Sequence, residues 1–132
     1  DADIRRVVLC SGKVYYDLLE RRERDQIDNV YLMRLEQFYP WPMKSLLTEL
    51  GRFPNADLVW CQEEPKNMGG WTFVRSCIED LLAQHVQNGD RFGAPRYVGR
   101  VASASPATVT QRGANGSGGA VFGITWNQVT AW

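Results

Sequence analysis

The spacing of apolar positions changes period repeatedly along the chain, and each change marks an element. "RVVLC", residues 6–10, is a short apolar run rich in β-branched residues, set between charge and "SGK". That is the pattern of a strand covered on both faces. From residue 13 to about 24, Val14, Tyr15, Leu18 and Leu19 share one helical face, while Asp17, Glu20, Arg21 and Arg24 fall elsewhere. This predicts an amphipathic helix, with Ser11 as its cap and Gly12 as a flexible neighbour. "NVYLMRL", 29–35, is strand-like again, and "YPWP", 39–42, ends it, because proline lacks a ladder donor and disfavours helix in the residue before it. Pro42 suits the first position of a second helix, whose stripe is Met43, Leu46, Leu47 and Leu50, with Gly51 as its stop. "ADLVWCQ", 56–62, predicts a third strand that Pro65 halts. Val74, Cys77, Ile78, Leu81, Leu82 and His85 lie at helical spacing between 70 and about 88, and "PRYVGRV", 95–101, predicts a fourth strand.

Strands alternating with helices specify a parallel sheet wrapped by its crossovers, an open α/β sandwich. Right-handed crossovers then bring "SGK", "EQFYPWP" and "EEPKNMGG" to one edge, the carboxyl edge, where ligands of such sheets bind.

Composition narrows the function classes. With 132 residues, 44% of them hydrophobic, the chain is long enough for one core and short for two. Fifteen basic residues balance fifteen acidic ones, which is not the footprint of a nucleic-acid binder. No apolar run approaches the roughly 20 residues that span a bilayer, so no membrane partner is expected. Cys10, Cys61 and Cys77 are odd in number, lack C-x-x-C spacing and sit in apolar segments, which argues against a disulfide framework or zinc site and for a reducing compartment. The chain opens on "DADIRRVVLC" without an initiator methionine and reads as a fragment of something longer.

The densest candidate chemistry is "VWCQEEPKNMGGW", 59–71. A catalytic cysteine needs a base, and the single histidine, His85, falls late in a helix far along the chain from Cys10 and Cys61. Glu63 and Glu64 resemble an acid and base pair, but neighbours on an extended chain point opposite ways and cannot share a proton. They read better as a turn and a subunit contact. "SGK", 11–13, opens a helix with backbone donors and Lys13, a weak anion site without a phosphate-loop or dinucleotide fingerprint. "GRVASASPAT", 99–108, puts Arg100 beside small polar residues that can approach a phosphate, a carboxylate or another subunit. No complete catalytic set emerges.

Together, "RVVLCSGKVYYDLLERR", "RLEQFYPWP", "VWCQEEPKNMGGW" and "GRVASASPAT" resemble the C-terminal domain of the thiamine-diphosphate-dependent first component of the 2-oxoglutarate dehydrogenase complex, in order and spacing, over residues 6 to about 108. The resemblance implies a transketolase-type C-terminal domain: a three-layer α/β/α sandwich over residues 1–112, with 113–132 an atypical glycine-rich tail that is poorly ordered, an added strand or foreign sequence. It implies no catalytic residue, metal or cofactor in this domain, with thiamine diphosphate and Mg held by the preceding domains of the complete enzyme. That enzyme is an oxidoreductase of the tricarboxylic acid cycle, placed in bacterial cytoplasm or mitochondrial matrix, which decarboxylates 2-oxoglutarate and passes succinyl to the lipoyl arm of the dihydrolipoyl succinyltransferase component. The domain's implied tasks are homodimerisation, support of the preceding domains and binding of an adenine-bearing effector, acetyl-CoA or AMP, at Lys13, Gln62 and Arg100. Glu63, Glu64, Asn67, Ser103 and Ser105 are then interface or turn residues. The rival readings are the corresponding domain of a transketolase or branched-chain oxoacid dehydrogenase, and a stand-alone nucleotide-binding module. Two departures stand out: Val101 occupies a position where the family usually has proline, and from Val109 the family's histidine-containing tail helix is replaced by unrelated sequence. Loss of that helix would leave an apolar face open to self-association.

Overall fold

The computed structural model describes residues 3–86, 94–105 and 126–130. Four strands, β1 (Arg6–Cys10), β2 (Val30–Arg34), β3 (Asp57–Pro65) and β4 (Arg96–Arg100), alternate with α1 (Val14–Arg24), α2 (Met43–Leu50) and α3 (Trp71–Val86), and a short α4 (Trp126–Thr130) follows. The sheet is parallel throughout, in the order β2-β1-β3-β4. The chain moves outward from β1 to β2, then reverses across β1 to β3 and on to β4. With right-handed connections, that reversal puts α1 on one face and α2 and α3 on the other.

Strand side chains alternate accordingly. Val7, Leu9, Leu58 and Trp60 join Leu46, Leu50, Trp71, Val74, Ile78 and Leu81 on the α2–α3 face. Val8, Cys10, Val59, Cys61 and Val98 join Val14 and Leu18 on the α1 face. Both faces being covered explains why β1 is buried at every residue and reads as a continuous apolar run.

Three local expectations are corrected. Ser11 does not cap α1: the N-cap is Lys13 and carries no side-chain cap bond, the turn being made by Gly12 at φ 73°. Pro42 is the N-cap of α2 rather than its first residue, its carbonyl accepting from Leu46 N at 3.0 Å. Pro65 does not halt β3. Cys61 pairs with Val98 and Pro65 with Arg100, so β3 takes four steps where β4 takes two. The ladder bulges, and proline is tolerated within a bulge because no donor is required of it there. Lys66 N then resumes the pairing by donating to Arg100 O at 3.0 Å.

The tail boundary at 112/113 and Val109 lie outside the described residues. Within the tail, residues 126–130 are helical although their sequence shows no helical period, and Val129 is fully buried against the α1 face. Arg6, fully buried although charged, directs its guanidinium to the Val129 carbonyl and at 3.5 Å to the half-exposed Asp57. A cation at carbonyls of a helix C-terminus is favourably placed. Burial, then repulsion from Arg96, lowers the Arg6 pKa, and Asp57 opposes the shift.

Candidate functional site

Chains leave β1 and β3, adjacent strands, toward opposite faces of the sheet. Between their carboxyl ends lies a cleft of about 510 Å³, lined by Ser11, Gly12 and Lys13 after β1, by Phe38 after β2, and by residues of β3 and the turn into α3, with Phe73 beyond. This is the position at which open α/β sheets place ligands.

Gln62 forms its floor. It is 3% exposed, and its amide is saturated by the fold. Oε1 accepts from Trp60 Nε1 and from Trp71 N, both at 2.9 Å. Nε2 donates to Met68 O at 2.7 Å, Pro65 O at 3.1 Å and Glu64 O at 3.3 Å. One buried amide therefore replaces the ladder bonds that the bulge removes and ties the first residue of α3 to β3. Tyr97 assists from β4: its hydroxyl shares its one proton between two carbonyls, Arg100 O at 2.8 Å and Glu64 O at 3.1 Å. Its pKa is raised, first by burial. Gly99 lies two residues on, where a Cβ would sit 2.5 Å from the Tyr97 hydroxyl and 2.8 Å from Gln62 O, so only glycine lets the two strands close around this ring.

Glu63 and Glu64 both line the cleft and differ in setting. Glu63 is half-buried, and burial, with repulsion from Asp17 and Glu64, raises its pKa against the pull of Lys13. Glu64 is exposed and lies against Gly69, whose φ of 66° and whose contact with the Glu64 side chain, 3.0 Å from a notional Cβ, make the turn. Lys13 extends into solvent and bonds Asp17 at 2.8 Å, which raises its pKa. Arg100 ends β4 outside the cleft lining, so Lys13 and Gln62 share the cleft while Arg100 flanks the bulge.

Asn67 and Ser103 are brought together as a pair. Asn67 Nδ2 donates to Ser103 O at 3.0 Å and its Oδ1 accepts from Ser103 N at 2.9 Å. This fastens the segment after β4 to the turn after β3. Ser105 N donates to Ser103 Oγ at 3.1 Å and closes the segment on itself.

The two strand thiols are quiescent. Cys10 and Cys61 are register partners on β1 and β3 and both fully buried. Burial pushes the Cys10 pKa up to about 12 and that of Cys61 higher still. A thiol so shifted is a poor nucleophile at neutral pH. Among the described residues no three His, Cys, Asp or Glu side chains converge into a metal-holding group.

Sequence reasoning missed Trp60, Phe38, Phe73 and Tyr97 as parts of the site. Phe38 packs edge-on against Trp60 at 5.8 Å between ring centroids and lies nearly parallel to Phe73 at 6.4 Å. Gly70 admits this packing, since a Cβ there would meet Phe38 at 2.9 Å. The one available signal was the "GGW" that follows the acidic pair, a close backbone approach between two aromatic positions.

The family model for the 2-oxoglutarate dehydrogenase C-terminal region matches residues 1–116. The 2-oxoglutarate dehydrogenase E1 components of Brucella anthropi, Brucella ovis and Brucella abortus are each 60% identical to this chain over 108 residues, 82% of its length. The chain spans 10% of the length of those relatives. With the family model matched over residues 1–116, the chain belongs to the 2-oxoglutarate dehydrogenase C-terminal family.

Proposed function

We propose that this domain completes and supports a thiamine-diphosphate-dependent 2-oxoglutarate dehydrogenase, an enzyme that decarboxylates 2-oxoglutarate and transfers succinyl to the lipoyl arm of dihydrolipoyl succinyltransferase, in bacterial cytoplasm or mitochondrial matrix. The observation that carries the reading is Gln62, whose five hydrogen bonds spend the most prominent polar group of the cleft on holding the fold. Thiamine diphosphate and Mg, held by other domains, would supply the decarboxylation chemistry. The residues here do not fit that cofactor: two carboxylates, Glu63 and Glu64, line the cleft against one lysine, which disfavours a diphosphate. No chemical step is placed in this domain.

An adenine-bearing effector, acetyl-CoA or AMP, suits the same cleft. Phe38 and Phe73 supply an apolar wall and the carboxylates accept from an exocyclic amine, so the adenine enters the cleft while its phosphate stays outside beside solvent-exposed Lys13, with Arg100 beyond the lining. The homodimer contact and support of the preceding domains belong to the same proposal.

The test is the intact enzyme. With thiamine diphosphate and Mg it is expected to decarboxylate 2-oxoglutarate in preference to pyruvate and branched-chain oxoacids; the reverse preference contradicts the reading. Acetyl-CoA or AMP titrated against the intact enzyme is expected to bind more weakly to Arg100→Ala, and unchanged affinity removes Arg100 from the effector site.

A further inference from the structure

Cys10 and Cys61 are paired in register on the adjacent parallel strands β1 and β3. Residues so paired project to the same side of a sheet, and both thiols join one apolar cluster with Val8, Val14, Leu18, Val59 and Val98. Their closeness shows independently in the electrostatic effect of Cys10 on Cys61, which raises the Cys61 pKa. Both are free thiols without solvent exposure, and the proposed function uses neither.

Among the described residues no third metal-binding side chain joins them, which decides what the pair can hold. Zinc sites need four ligands, whereas soft ions with a filled d shell accept two thiolates in a line. With metal–thiolate bonds of about 2.3 Å, a linear arrangement sets the sulfurs about 4.6 Å apart, close to the spacing of neighbouring strands, about 4.8 Å. Charge then selects among the soft ions. A monovalent ion on two thiolates leaves a net negative charge in an apolar cage, where the pull of Arg34 is opposed by Glu36 and Glu63. A divalent ion leaves none.

We infer that Cys10 and Cys61 form a two-coordinate site for a soft divalent ion, the mercuric ion, which fastens β1 to β3 beneath the cleft. Binding makes two mercury–sulfur bonds and breaks two S–H bonds, both protons passing to solvent with no change of oxidation state. The raised thiol pKa values slow reactions that need a free thiolate, whereas a soft ion takes the place of the proton as it binds. Entry is from the carboxyl edge. The pair is the last register match of β1 with β3, Ser11 and Gln62 follow it into the cleft lining, and the ladder from β3 to β4 turns irregular just beyond Cys61. Opening there is local rather than global.

The test uses the intact protein. Its accessible thiols are first alkylated with N-ethylmaleimide at neutral pH, which the buried, protonated Cys10 and Cys61 resist. Mercuric chloride is then added, followed by glutathione in about tenfold excess, which strips mercury from single thiols but not from two held side by side. Tryptic digestion is expected to yield residues 7–13 joined to 53–66 through one mercury, with two hydrogens lost. Recovery of both peptides without mercury overturns the proposal, as does mercury on either peptide alone. Cys10→Ala and Cys61→Ala are each expected to lower retained mercury by one atom per subunit, and the double variant by no more. Additive losses, one for each thiol, mark two independent sites and overturn the proposal. The wild-type peptides decide the matter even where a variant fails to fold.

Discussion

At Gln62, a side chain that reads as ligand-binding in sequence turns out to be committed to structure. Its replacement by leucine keeps the bulk and takes their partner from Trp60 Nε1, Trp71 N and Met68 O, while Glu64 O keeps Tyr97 and Pro65 O keeps Met68 N. Buried groups left unpaired are costly, so Gln62→Leu is expected to destabilise the fold by about 3 kcal/mol in urea denaturation; a loss below about 0.5 kcal/mol contradicts the assignment. Cys10 gives a pH prediction. Its thiol is neutral when folded, with its pKa raised by burial from 9.0 to about 12. Stability from that shift is fully present below pH 9 and is lost as pH climbs toward 12, by about 1.4 kcal/mol per pH unit. Cys10→Ala is expected to start less stable and to show a flatter decline across that window in pH-dependent unfolding. Glu63, raised in the same sense, is tolerated rather than stabilising as a carboxylate above its folded pKa, so Glu63→Gln should hold or raise stability at neutral pH.

At the scale of elements, the four strands and three main helices were legible because parallel strands buried on both faces leave unbroken apolar runs, and each covering helix leaves a stripe. The bulge was not. Pro65 signals a strand end in sequence, and only the pairing partner shows that β3 continues by inserting two residues opposite β4. The contacts of Tyr97 were equally hidden, since a tyrosine two residues before a glycine is unremarkable until its hydroxyl is seen to fill the space where a Cβ on Gly99 would sit, 2.5 Å from it. Gly99→Ala is therefore expected to cost about 3 kcal/mol, read as a lowered Tm, with β4 amides the first to exchange. Helix α4 was invisible because a five-residue helix held by tertiary contacts has no period to read. Arg6→Met keeps the length of the side chain and removes its donation to Val129 O. Amides of 126–130 are then expected to exchange about tenfold faster while those of β1 and β3 are unchanged.

For the whole molecule, the fold concentrates its chemistry at one edge and then spends that chemistry on closure. Gln62 braces the turn, Asn67 fastens the segment after β4, Tyr97 spans the bulge, and Cys10 and Cys61 lie beneath with raised pKa values. The edge was legible in the sequence as a convergence of three turns. Whether its carboxylates catalyse or support was not, because two adjacent glutamates look alike until burial and neighbours separate them. Decarboxylation of 2-oxoglutarate by the intact enzyme carrying Glu63→Gln and Glu64→Gln together tests that distinction most directly. Under the proposed function, a supporting edge leaves turnover within about fivefold of wild type, whereas a loss of about a thousandfold at unchanged subunit number, the scale of a missing acid–base group, contradicts the account.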